Sequence, residues 1–201
     1  RTLASASAAL DAGRACLVTR IGAAGKTTKA VLRCQATAAK IGAPVDTACV
    51  ARAQSVAETY FARAEAVGGC PATIQGPTVT ATYVTTRAAA FGRLMLPASG
   101  ASTCQARKLK AAGKRVIRWH KAHATFVATG DAAKLGAALA AARLKYDAAF
   151  AKADTIAGCL AVGDGAEVAG LADAIFDAVA GRLKLVVRET VVAEAHDGID
   201  A

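Results

Sequence analysis

The chain has 201 residues, of which 54% are apolar but only 4% aromatic, a balance that suits slim alanine-rich helices and leaves little material for a deep aromatic pocket. Its net charge of +10 is uneven, with 11 basic and 4 acidic residues in 1–100 against 14 and 11 in 101–201. The absence of Asn excludes N-glycosylation, and no uninterrupted apolar run reaches the ~18–20 residues of a bilayer span.

Read along the chain, one module occurs twice. Phe61-Ala-Arg-Ala-Glu65 leads to Gly69-Cys70, and Phe150-Ala-Lys-Ala-Asp154 leads to Gly158-Cys159. Cys16 precedes Gly25-Lys26 as Cys104 precedes Gly113-Lys114, and Gly92-Arg93-Leu94 recurs as Gly181-Arg182-Leu183. The offset is 88 residues before the first turn and 89 after it. A fixed period of this size marks a tandem repeat.

Segment one, from about Leu3 to Ile41, carries Leu10, Leu17, Ile21, Thr28 and Val31 at spacings of three, four and seven, a helical stripe. Its counterpart, 104–129, carries Leu109, Val116, Trp119 or His120, and Val127. Gly42-Ala-Pro44 and Thr129-Gly130-Asp131 are turn signals. Segment two starts near Asp46 or Asp131 and shows Val50, Ala53, Ala57, Phe61 and Ala64, matched by Leu139, Ala142, Tyr146, Phe150 and Ala153. It stops at Gly68-Gly69 and at Gly158, which suit a left-handed cap. Segment three of module two opens on Asp164-Gly-Ala-Glu167 and runs through Val168, Leu171, Ile175, Val179 and Leu183. Its partner, 76–96, holds the β-branched run 78–86 and reads as a strand by propensity. The repeat and Pro77 predict a helix instead. The expected fold is all-α: two tandem three-helix antiparallel bundles with long disulfide-linked hairpins. Module 1 spans 1–97, a linker with hinge character 98–103, and module 2 spans 104–201. Residues 185–201 read equally as a helical extension or a tail.

The repeat also pairs the six cysteines. Module two has one pair, Cys104–Cys159, and Cys16–Cys70 follows by equivalence. Cys34 and Cys49 remain, and both are absent from module two, where Ala122 and Ala137 or Ala138 stand. The midpoints of 16 and 70 and of 34 and 49 both fall at the Gly42–Pro44 turn, so the bonds are rungs of one hairpin, the outer rung ~40 Å from the turn. Loops of this size give on the order of 3–4 kcal/mol per bond in the chain-entropy model. Disulfides imply an oxidising compartment: periplasm, cell surface or medium. A chain beginning at Arg1, without Met or a signal-like segment, reads as mature or trimmed.

The pattern carried by Cys16, Lys26, Cys34, Pro44-Val-Asp46, Cys49, Phe61–Glu65 and Gly69-Cys70 resembles tandem Ala/Lys-rich, Cys-containing repeats of exported bacterial proteins. Module two keeps Cys104, Lys114, Phe150–Asp154 and Gly158-Cys159 and departs at the inner cysteine pair. The resemblance implies export and carries over no functional residue.

Candidate chemistry is sparse. Arg20–Thr27 approaches a phosphate loop but lacks the first Gly and the preceding strand, so nucleotide binding is not expected, and the glycines read as points of close helix approach. His120 and His123, three apart, form a candidate metal pair, with His196 a distant third ligand; the alternative is a pair of surface or boundary histidines. No C-x-x-C, haem-attachment or nucleophile-elbow motif occurs. Arg107, Lys108, Lys110, Lys114, Arg115, Arg118 and Lys121 form a basic stretch free of acids, and 164–177 holds Asp164, Glu167, Asp173 and Asp177 free of bases. The basic stretch either meets that acidic one or water, or it binds an extracellular polyanion or a partner; with so few aromatics, nucleic acid is not expected. The expectation is a non-catalytic, exported subunit of a structural or interaction assembly, with a protein partner or self-association and no cofactor. The alternatives are a binding protein for a metal or small ligand and a polyanion-binding protein using 107–121.

Overall fold

The computed structural model of the chain describes residues 2–70, 76–97, 100–157, 159 and 161–182, with the backbone alone for 2–11 and Arg182. Among these residues there are six helices and no strand: α1 (Thr2–Ile41), α2 (Thr47–Ala66), α3 (Pro77–Leu94), α4 (Thr103–Thr129), α5 (Ala132–Asp154) and α6 (Gly165–Arg182). The expectations placed on Gly158, Leu183 and 185–201 lie outside the described residues, and that on Leu10 outside the described side chains.

Helices α1 and α4 stop at the same point of the repeat, Ile41 and Thr129, since 129 − 41 = 88. They restart differently. Pro44 lacks an N–H and holds Ala43 out of the helical region, so module one spends residues 42–46 on its turn. Module two uses only Gly130 and Asp131, with Gly130 left-handed at φ 69°. Asp46 and Asp131 cap the new helices by accepting from Ala48 N at 2.8 Å and Lys134 N at 2.9 Å.

The β-branched run 78–86 is helical, inside α3. Thr80, Ala81, Val84, Thr85, Ala88 and Phe91 recur at helical spacing and are all buried. Burial of that face outweighs the strand propensity of Thr and Val, which is a preference of about 1 kcal/mol or less per residue.

One apolar cluster runs from Ile21, Leu32 and Phe61 through Phe91 to Leu109, Val116, Tyr146, Phe150 and Ile175. The core therefore does not divide at the linker. The linker's last residues are fastened as well: Ser102 N donates to Ala39 O at 2.7 Å, and Ser102 Oγ accepts from Gln105 N at 3.1 Å. Where a hinge was expected, the chain is tied to the end of α1.

The reason is the pairing of α1 with α4, the most extensive of all helix pairs. A Cβ on Gly25 would stand 2.7 Å from His120 Cβ, and one on Gly113 would stand 3.6 Å from Leu32 Cβ. Gly113 is the repeat equivalent of Gly25 (113 − 25 = 88), and His120 that of Leu32 (120 − 32 = 88). Each helix thus offers its glycine to the other's residue at the same repeat position. That reciprocity makes the pair antiparallel and isologous, the geometry of a two-fold dimer within one chain.

The two glycines differ in how much room they leave. Gly25→Ala forces helix against helix and is expected to cost about 1–3 kcal/mol. Gly113→Ala meets only ordinary van der Waals contact and gains helix propensity, so it is expected to be neutral or stabilising by up to about 1 kcal/mol. Urea titration of both variants checks this, and equal effects would contradict the close approach at Gly25.

Candidate functional site: a buried cation clasp in each repeat

Cys16 and Arg20 lie one turn apart on α1, as Cys104 and Lys108 do on α4. Phe61 and Glu65 lie one turn apart on α2, as Phe150 and Asp154 do on α5. Residues at i and i+4 share a helix face, so each repeat presents a sulfur and a cation to a ring and an acid. The offsets agree: 108 − 20 = 88, 150 − 61 = 89 and 154 − 65 = 89.

In module one the Arg20 side chain is 0% exposed. Its Nη1 donates to Glu65 Oε1 at 2.8 Å, its Nη2 to Thr80 Oγ1 at 2.8 Å, and its guanidinium lies 5.4 Å from the centroid of Phe61. In module two Lys108 is also 0% exposed. Its Nζ lies 2.6 Å from Asp154 Oδ1, donates to Ala161 O at 2.6 Å and to Asp164 Oδ1, and sits 4.7 Å from the centroid of Phe150. The planar fork of Arg spans two partners on two helices. The three protons of the ammonium find three acceptors around a point charge.

A buried cation is costly unless it is paired and hydrogen-bonded. Burial pulls the Arg20 guanidinium below its ordinary value, and Glu65 pulls it back up. The hydrogen bond from Lys108 is the main cause holding the Asp154 carboxyl below its ordinary value, with help from Gly163 N–H. Each clasp ties the first helix of its repeat to the second. Arg20 adds α3 through Thr80, and Lys108 adds Asp164, the residue before α6. Gly69, at φ 70°, brings the chain back beneath α1, where any side chain would overlap Ala12 and Gly13.

The disulfides join Cys16–Cys70, Cys34–Cys49 and Cys104–Cys159, with Cα–Cα separations of 5.4, 5.9 and 5.3 Å. These are the pairs expected from the repeat. The outer bonds lie one turn beyond the clasp cations. Among the described residues, Cys104, Asp154 and Cys159 bring potential metal-ligand atoms together. The two sulfurs are bonded to each other and Asp154 is taken by Lys108, so the group offers no free thiolate or carboxylate.

The basic stretch divides into two faces. Arg107, Lys110, Lys114 and Lys121 are exposed, and Arg118 is half-buried. Lys108 and Arg115 are withdrawn from the expected polyanion surface. Arg115 Nε and Nη2 reach the two oxygens of Asp173 at 3.1 and 2.8 Å, and its guanidinium lies 4.6 Å from the Trp119 ring and 5.2 Å from that of Tyr146. The acidic stretch is met here within the chain, by Lys108 and Arg115. Tyr146 donates its hydroxyl to Gly165 O at 2.9 Å, and burial raises its pKa.

His120 and His123 both lie against Phe176, the first edge-on at 5.0 Å between centroids and the second stacked at 4.2 Å. His120 is buried and bonds Val116 O through Nδ1 at 2.8 Å. Their nitrogens do not converge with another ligand among the described residues. His196 lies outside those residues. The phosphate-loop-like run Arg20–Thr27 is mid-helix in α1, so its backbone N–H groups are not free to cradle a phosphate.

Burial pushes both histidines down to about 4, with the bond to Val116 opposing the shift at His120. An unfolded His titrates near 6.5. The folded values are lower, so the neutral rings' contribution to stability is complete above about pH 6.5 and is lost as the pH falls toward about 4. For His120 alone the loss from pH 7.5 to pH 5 is about 2 kcal/mol. Urea unfolding at the two pH values measures it. His120→Leu, which installs the residue found at the equivalent position 32, should remove roughly half of the pH effect; an unchanged effect would contradict the burial assignment.

No protein-family model matches this chain, and no curated protein or solved structure is significantly similar to it.

Proposed function

We propose that the chain is a non-catalytic, exported helical-repeat protein, built of two three-helix units, that serves as a structural or interaction subunit of a periplasmic, cell-surface or extracellular assembly. The observation that carries this reading is what the two repeats share. Cys16 and Cys104, Arg20 and Lys108, and Phe61 and Phe150 are buried, while Glu65 and Asp154 are half-buried beside them. All of them hold helices together. These shared buried charges and sulfurs are spent on internal ion pairs and disulfides, while the grooves outside them are lined largely by different residues in the two copies. Rigid units with variable faces suit recognition of partners or of further copies.

Three disulfides with no free cysteine support an oxidising compartment. Among the described residues, no helix is long and apolar enough to cross a membrane.

Native electrophoresis of the envelope and periplasmic fractions of the source cells, followed by non-reducing peptide mapping of the band, tests the proposal. The expected result is a particle larger than one chain, with the cysteines paired 16–70, 34–49 and 104–159. A lone chain with free thiols would contradict it.

A further inference from the structure

Two grooves lie apart from the clasps. The first, about 500 Å³, runs between α1 and α2. Lys26, Lys29 and Arg33 follow at three and four residues along α1, a row roughly 10 Å long. Arg52 faces them from α2. The floor is small and apolar, with the Cys34–Cys49 bond in it. No acid lines the groove, and none of its four cations forms an ion pair among the described residues.

The second groove, about 370 Å³, is the same place in module two, between α4 and α5. Ala122, Thr125, Ala138 and Ala142 stand there for Cys34, Thr37, Cys49 and Ala53. It too is lined by four cations, Arg118, Lys121, Lys134 and Lys145, and no acid; of the four, Lys134 is paired, with Asp131. Only Arg33 and Lys121 are equivalent in position. The positive charge is therefore kept while most of the residues that supply it have changed. General basicity of the chain accounts poorly for this, because the groove that holds Arg115 and Arg143 also holds Asp147, Asp154 and Asp173.

An uncompensated row of cations over an apolar floor fits an acidic, partly apolar polypeptide. It does not fit nucleic acid. Tyr60 is the aromatic that lines these grooves, and Lys26 Nζ lies over it, 4.8 Å from the centroid, so bases have no open stacking surface. The chain itself carries such a polypeptide. Residues 189–200 hold Glu189, Glu194, Asp197 and Asp200, no Lys or Arg, and Val191, Val192 and Ile199 between the acids.

We propose that the acidic stretch 189–200 of one copy docks in the α1/α2 groove of a second copy. Four acids meet four cations, and the α1/α2 groove is the larger, with a floor fixed by a disulfide. The contact is head-to-tail, so it propagates or closes into a ring. It rests on the reading of the chain as an assembly subunit and names the surface and the partner.

The test uses full-length chains and light scattering after size exclusion. The groove variant is Lys29→Glu with Arg33→Glu and Arg52→Glu. The acid variant is Glu189→Gln, Glu194→Gln, Asp197→Asn and Asp200→Asn. The wild type is expected to exceed the monomer mass at low salt and to return toward it in 0.5 M salt (a chosen condition, roughly a fourfold shorter reach than 0.03 M). Each variant alone should stay monomeric with native circular dichroism. Their equimolar mixture should form a 1:1 dimer, because one supplies an intact groove and the other an intact acidic stretch. A monomeric mixture would overturn the proposal, as would equal loss of association in Arg118→Glu with Lys121→Glu, which alters the other groove. Association that survives all these variants would leave the subunit reading standing and remove this contact.

Discussion

Everything else in this chain depends on a cation buried between two helices. Arg20 and Lys108 are completely enclosed, each against a phenylalanine ring and a carboxylate on the neighbouring helix. A chain with so few large side chains has little apolar area with which to fix a helix pair in register. A buried charge supplies register in another way. It tolerates one arrangement of acceptors, and sliding the helices by a turn leaves it unpaired at a cost of several kcal/mol. The disulfide one turn away limits how far the pair can separate. The two repeats solve this with different chemistry, a guanidinium fork in one and an ammonium with three acceptors in the other, and reach the same position.

The clasps make two hairpins, and α1 and α4 join them into one body. Their reciprocal contacts, Gly25 with His120 and Leu32 with Gly113, relate the repeats by an approximate two-fold axis. Small residues make the close approach possible, among them Ala23, Ala24, Ala111 and Ala112, all buried. The arrangement is that of a homodimer whose subunits share one chain, and a closed pair of this kind leaves the outer faces of α2 and α5 free to diverge.

Much of this was legible in the residues. Helical periodicity placed the elements, and the buried positions of α2, α5 and α6 are largely those of the apolar stripes, from Ala53, Ala57 and Phe61 to Val168, Ile175 and Val179. The repeat paired the cysteines, and their equidistance from the turn agreed with it. The β-branched run in α3 shows the limit of propensity, since the repeat and Pro77 indicated a helix where Thr and Val alone read as a strand. The clasps were missed because Lys and Arg are ordinarily exposed. A signal existed nonetheless. Arg107, Lys110, Lys114, Arg118 and Lys121 follow one another at three and four residues, while Lys108 and Arg115 fall off that stripe and in line with Cys104. The α1–α4 pairing was not legible, because a repeat states what each module contains and not how two modules meet. Grooves built from two helices were hidden for the same reason.

The central claim is that the clasp cation and its acid act as one unit. A double-mutant cycle on Lys108→Met and Asp154→Leu in urea tests it most directly. Lys108→Met leaves Asp154 and Asp164 without their cation and Asp154→Leu leaves Lys108 with Asp164 alone, whereas the double change removes the Lys108–Asp154 pair and leaves only the partly exposed Asp164. The account predicts a coupling of about 1–3 kcal/mol, with the double variant much less destabilised than the sum of the singles. Additive losses within about 0.5 kcal/mol would contradict it.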